Sequence, residues 1–244
     1  MLQAVTFDFW NTLVVDVHGA EREARRAGVV HDELAALGKD PSPLIVEEAL
    51  RSAFDYFDRV WIAEHRTPHC AELVDAMFTT LAVRPPDEVH ARVVQIFEDL
   101  VLELPPLPMP GALDTLPVLA ARFRLAVICD TGYSPGRVLR EVLRRYDMLK
   151  YFDYLFFSNE HGMSKPDPRV FRHTLEQLGV RAGEAAHVGD IQRTDVAGAQ
   201  GAGMAAAHFV AVNDHDLPHS TADLLVRRFD ELPAMLGSLI CPGC

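Results

Sequence analysis

The chain reads as an α/β protein, a doubly wound parallel sheet interrupted by an all-helical insert. Three observations carry this reading. Short apolar runs, each followed by polar or glycine-rich residues, recur at the N-terminal end and throughout the second half; parallel strands covered on both faces look like this. Helical periodicity fills the gaps between the later runs, and strand alternating with helix implies right-handed crossovers. The stretch from about Asp16 to Glu103 holds helical patterns and no convincing strand.

The first strand is the run Leu2–Phe9, with Asp8 at its end. Four helices follow, at about Ala20–Leu37, Leu44–His65, Cys70–Val83 and Asp87–Leu104. In the second, Leu50, Phe54, Phe57 and Trp61 step by three or four; in the fourth, Val89, Val93, Ile96, Leu100 and Leu104 do the same. Such stripes predict a small bundle. The proline-rich stretch Leu104–Gly111 predicts an extended linker, because proline blocks helix and restricts the residue before it. Beyond it lie the strands Arg124–Cys129, Tyr154–Ser158, Ala185–Val188 and Met204–Val210, with a weaker one at Asp223–Val226. Helical patterns at Pro135–Arg145, Pro168–Leu178 and Arg193–Gly201 alternate with them. The chain therefore divides into a core of residues 1–15 and 106–244 and a helical cap of residues 16–105.

Composition narrows the function. Of 244 residues, 49% are hydrophobic and 24% charged, a globular balance that excludes a disordered chain. Lys and Arg number 23 against 35 Asp and Glu, so the net charge of −12 argues against nucleic acid as a partner. No apolar run approaches the ~18 residues that span a bilayer, and the N-terminus lacks the features of an export signal. A cytoplasmic protein without membrane association is expected. Four cysteines are too few for a disulfide framework. Cys70 and Cys129 fall in apolar segments and read as buried; Cys241 and Cys244 read as an incidental tail.

Ligands of open parallel sheets bind beyond the carboxyl ends of the strands. Those ends carry Asp8-Phe9-Trp10-Asn11-Thr12, Cys129-Asp130-Thr131-Gly132, Ser164-Lys165-Pro166-Asp167-Pro168 and Gly189-Asp190-Ile191-Gln192-Arg193-Thr194-Asp195. Acids gathered on one rim cannot all stay ionised without a cation. Hard oxygen donors suit Mg²⁺, which with Lys165 would bind a phosphoryl group. A carboxylate there could attack phosphorus and form an acyl phosphate that water cleaves. Dinucleotide, Walker and serine-hydrolase motifs are absent from the sequence.

These segments, in this order, resemble the four motif regions of the haloacid dehalogenase-like hydrolase superfamily, with a Rossmann-like core and a helical cap inserted after the first motif. The resemblance implies that Asp8 is the nucleophile and that Lys165 bridges it to the phosphoryl group. It implies that Asp8, Asp190 and the Trp10 carbonyl hold Mg²⁺, with Asp195 supporting the metal through water. Cys129, Asp130, Thr131 and Lys165 are the expected substrate-binding residues. Two positions depart from the family's phosphatases. Trp10 stands where they carry a second Asp as general acid and base, a loss that typically costs on the order of 10²–10⁴-fold. Cys129 stands where a Ser or Thr binds phosphoryl oxygen, and a thiol is the weaker donor; Thr131 is the nearest substitute.

The expected activity is Mg²⁺-dependent hydrolysis of a small phosphorylated metabolite through an aspartyl phosphate at Asp8. The aromatic Trp10 also fits a metal-independent 2-haloacid dehalogenase. Trp10 and Cys129 together fit a catalytically silent phosphate- or partner-binding protein. Among the remaining residues, Asn11 reads as a backbone turn residue, since Asn tolerates φ > 0, and Asp16 and His18 read as lining the passage into the cap. His161, His65 and His69 read as surface or supporting residues. Arg22, Arg25 and Arg26 read as a solvated helix face, which in a cap could attract an anionic substrate. An exposed cap face would leave room for a homodimer.

Overall fold

The computed structural model describes residues 1–239; Cys241 and Cys244 lie outside them. β1 (Ala4–Phe7) opens the sheet, and the chain leaves it through β2 (Val14–Val15) into four helices. These are α1 (Gly19–Ala36), α2 (Pro43–Glu64), α3 (Cys70–Thr80) and α4 (Asp87–Glu103). The return is through β3 (Leu107–Pro108), which pairs antiparallel with β2, Val14 opposite Pro108 and Val15 opposite Leu107. The proline-rich stretch is thus extended, as its composition predicts, and its extension closes a two-stranded ribbon.

The rest of the chain alternates: α5 (Ala112–Ala120), β4 (Arg124–Cys129), α6 (Gly136–Arg145), β5 (Tyr154–Phe157), α7 (Ser158–His161), α8 (Pro168–Leu178), β6 (Ala185–Gly189), α9 (Ala197–Gly201), β7 (Ala205–Phe209), β8 (Leu224–Val226) and α10 (Leu232–Ser238). The main sheet runs β5-β4-β1-β6-β7-β8, every pair parallel, with Phe7 of β1 opposite Val127 and Val188. This central position carries Asp8 to the middle of the rim. Side chains alternate across the sheet. Val5, Phe7, Leu125 and Val127 pack with α5, α6 and α10. Ala4, Ala126, Ile128 and Phe156 pack with α8 and α9 on the other side. No helix among the described residues is long and apolar enough to cross a membrane.

Three local differences from the sequence reading have physical causes. α5 is a helix absent from the sequence reading, and it runs through Pro117, although proline belongs at a helix end; burial of Ala112, Leu116 and Leu119 outweighs the lost hydrogen bond. The helix expected from Arg193 begins instead with a widened turn, in which the Val196 N–H donates to the Ile191 carbonyl at 3.4 Å. Such widened turns recur at functional sites. The α2 and α4 stripes divide their contacts. Leu50 and Val93 enter the cap's own core, whereas Phe54 is 46% exposed and Val101, which lies outside the α4 stripe, packs into the sheet's core. A helix that touches two bodies shows a stripe wider than one interface needs.

Candidate active site

The site grows from strand ends. Asp8 follows β1 directly, its N–H donating to the Val188 carbonyl at 2.8 Å. The chain then turns sharply through Asn11 at φ 55°, the left-handed conformation its side chain tolerates. Lys165, 2% exposed, reaches in from the loop before α8. Its ammonium donates to Asp8 Oδ1 at 2.5 Å and to Asp195 Oδ1 at 2.7 Å. Asp195 also accepts from the Ile191 N–H at 3.0 Å and lies 3.0 Å from His187 Nε2. His187 Nδ1 lies 2.8 Å from Thr6 Oγ1. With the threonine hydroxyl donating to Nδ1 and Nε2–H donating to Asp195, both contacts suit a neutral ring, and burial pushes the His187 pKa down, against the pull of Asp195.

Charge is distributed unevenly among the acids. Burial alone would raise the Asp195 pKa, but Lys165 and His187 hold it well below the usual carboxylate range. For Lys165, burial disfavours the charge, yet Asp195, Asp8 and Asp130 keep the ammonium firmly protonated. One ion pair, Lys165–Asp195, is thereby settled. The other carboxylates resist ionisation. Burial raises Asp8 well above its ordinary value against the opposing effect of Lys165, with Asp195 and Asp190 adding to the rise. Burial and then Asp195 push Asp190 up to about 6, with Asn213 and Lys165 opposing. Asn213 Nδ2 donates to Asp190 Oδ2 at 3.1 Å. Among the described residues, Asp8 Oδ2 and Asp190 Oδ1 accept a hydrogen bond from no other residue.

Asp130 and Thr131 tie the cap to this rim. Asp130 Oδ1 accepts the Lys165 N–H at 3.1 Å, and Oδ2 accepts the indole N–H of Trp61, on α2, at 2.8 Å. Ser158 Oγ accepts the Thr131 N–H at 2.8 Å and meets Thr67 Oγ1 from the α2–α3 turn at 2.5 Å. The His65 carbonyl accepts the Ser164 N–H at 2.8 Å. Cys129 ends β4 inside the apolar core, and burial raises its thiol pKa well above the ordinary value. The Trp10 ring packs edge-on against Phe9, centroids 5.2 Å apart, with the Arg22 guanidinium 5.7 Å from its centre.

Gly189 shows how closely the parts are fitted. A Cβ there would stand 2.3 Å from Cγ of Asp195. Gly189→Ala is therefore expected to lower stability by about 1–3 kcal/mol and to weaken any activity that depends on Lys165. Denaturant unfolding and turnover, measured side by side, check both.

The structure brings Asp8, Asp130, Lys165, Asp190 and Asp195 to one rim. His161 lies elsewhere, stacked on Phe156 at 4.4 Å, and His65 and His69 cap α2 and α3. Asp16 pairs with Arg22, and His18 faces solvent beside Glu21. The basic cluster on α1 requires a correction. Only Arg25 is solvated; Arg22 and Arg26 are buried, because that face of α1 turns toward the core. Trp61, Ser158, His187 and Asn213 are not among the site residues read from the sequence. A histidine inside the apolar run Ala185–Val188 was the one available signal.

Known proteins agree with this architecture. The family model described as haloacid dehalogenase-like hydrolase matches residues 2–203. The chain belongs to that family of hydrolases. It is 30% identical over 212 residues to the glyceraldehyde 3-phosphate phosphatase of Methanopyrus kandleri, covering 84% of this chain and 82% of that one. Bovine (Bos taurus) haloacid dehalogenase-like hydrolase domain-containing protein 3 is 28% identical over 209 residues, 83% of this chain and 80% of its own. Among solved structures, a 2-haloacid dehalogenase from Pseudomonas syringae superposes with a TM-score of 0.68 at 27% identity, covering 97% of this chain and 99% of that one.

Proposed function

We propose that the protein is a Mg²⁺-dependent phosphatase of a small phosphorylated metabolite, with Asp8 as nucleophile. The observation that carries this reading is the buried Lys165 ammonium shared by Asp8 and Asp195, next to an Asp190 whose ionisation burial and Asp195 disfavour. The donor set fits Mg²⁺. Among the described residues no three His, Cys, Asp or Glu side chains form a metal-holding group, but Mg²⁺ is usually held by one or two carboxylates with waters and substrate oxygens. Asp8 and Asp190, each with an oxygen free of other residues, would hold it with the Trp10 carbonyl. Bound there, the ion would offset the charge of the phosphoryl oxygens.

Asp8 would attack phosphorus as the ester P–O bond breaks, forming an acyl phosphate that water then cleaves to inorganic phosphate and free Asp8. Lys165 orients the attacking carboxylate and neutralises charge on the phosphoryl group. Asp195 fixes its ammonium and Asp130 its backbone. In this reading Asp195 serves the metal chiefly by occupying Lys165, since both its oxygens are engaged by protein donors. Trp10 has no proton to give the leaving oxygen. Esters with good leaving groups, such as p-nitrophenyl phosphate, are thus expected to turn over about 10²-fold faster than alkyl phosphates, and Trp10→Asp to narrow that gap. Paired kcat measurements on the two ester types check this. The function itself is tested with p-nitrophenyl phosphate and Mg²⁺: turnover that disappears in EDTA supports it, and no turnover under any metal condition overturns it.

Trp10 favours a second reading, metal-free dehalogenation, in which Asp8 attacks carbon and halide leaves. Chloride release from 2-chloropropionate in the presence of EDTA would select it.

A further inference from the structure

α1 carries two buried arginines one turn apart, and hence on one face: Arg22 and Arg26, 4% and 7% exposed. Arg22 is paired, with Nη2 donating to Asp16 Oδ1 at 2.5 Å and Nη1 to the Leu104 carbonyl at 2.7 Å. Arg26 is not. It stacks 4.2 Å from the Tyr133 ring centre and 5.8 Å from that of Phe97. Among the described residues it makes no ion pair, and its buried Nε has no acceptor. Burying a charge without a partner is costly, and a guanidinium cannot escape by losing its proton.

Both arginines line a cavity of about 310 Å³ with Trp10, Gly132, Tyr133 and Ser134. Trp10 lies two residues beyond Asp8 and Gly132 two beyond Asp130, so the cavity adjoins the rim where the phosphoryl group would sit. Its charge selects the occupant. Asp16 is paired to Arg22, and Glu23 is an exposed acid on the same wall. With Asp16 spent on Arg22, the buried Arg26 guanidinium faces one acid only, the solvent-exposed Glu23, a balance that suits a monoanion and disfavours a dianionic phosphate.

We propose that this cavity is a subsite in which Arg26 binds a carboxylate of the substrate, so that the preferred substrates are small phosphorylated carboxylic acids. The proposal rests on the phosphatase reading above. A planar fork of donors matches a carboxylate in two-point contact, and the Tyr133 ring holds the fork in place.

The test compares phosphoglycolate with ethyl phosphate, which has a tail of equal length and no carboxylate. The wild-type enzyme should favour phosphoglycolate in kcat/KM. Arg26→Gln should collapse that ratio by on the order of 10²-fold, mainly through KM, with Arg26→Lys in between. Arg26→Gln should also unfold at a temperature no lower than the wild type, since it removes an uncompensated charge; that separates a binding role from a structural one. A ratio unchanged by Arg26→Gln overturns the subsite and leaves the phosphatase reading standing. If no ester turns over, the phosphatase reading fails, and thermal stabilisation of the Asp8→Asn protein decides the subsite. Greater stabilisation by phosphoglycolate than by ethyl phosphate, lost on adding Arg26→Gln, supports it; equal or no stabilisation overturns it.

Discussion

Lys165→Met is expected to lower stability by about 3–5 kcal/mol and to abolish turnover. Methionine fills similar space but leaves Asp8 and Asp195, both buried, without the ammonium that now lies 2.5 and 2.7 Å from them. The cost is that of stranded charge and not of lost packing, and this can be measured. Adding Asp8→Asn to Lys165→Met removes one of the stranded carboxylates, so the double variant should be more stable than the single one. A coupling of at least about 1 kcal/mol in the full cycle is expected from denaturant unfolding at neutral pH. Strictly additive losses would show that the ammonium is not shared as the geometry implies.

Asp8→Asn is expected to reduce turnover by on the order of 10⁵-fold or more, as loss of a covalent nucleophile does. The fold should survive. Asparagine keeps an acceptor for Lys165 and removes a carboxylate whose ionisation burial disfavours. Its unfolding temperature in EDTA should therefore match or exceed that of the wild type, while stabilisation by added Mg²⁺ should weaken, because one oxygen ligand has lost its charge. Turnover with p-nitrophenyl phosphate and thermal unfolding with and without Mg²⁺ read the two effects separately. Activity that persists at the wild-type level would place the nucleophile elsewhere.

What the sequence made legible follows from distance along the chain. The runs at 4–7, 124–129, 154–157 and 185–189 are strands because each is short, apolar and flanked by turn-forming residues. The acids at their ends share a rim because parallel strands align their carboxyl ends. Local pattern suffices for both. It fails where an element serves two bodies. Trp61 belongs to a helical stripe that predicts cap packing, yet its indole is bonded to Asp130 across the gap. Arg22 and Arg26 look like a solvated face because charge is ordinarily a surface property, and only the partner surface, Trp10 and Tyr133, explains their burial. His187 stands out as the polar residue of an apolar run, but its role is not legible until Thr6 and Asp195 flank it.

The β2–β3 ribbon has a consequence for how the family could diversify. The polypeptide's exit to the helical lobe and its re-entry are hydrogen-bonded neighbours, Val14 beside Pro108 and Val15 beside Leu107. Two splice points so near each other let a different lobe be grafted without moving any strand of the six-stranded platform. A chimaera that keeps this doorway and exchanges what lies beyond it should retain its reaction while inheriting the donor's taste in molecules.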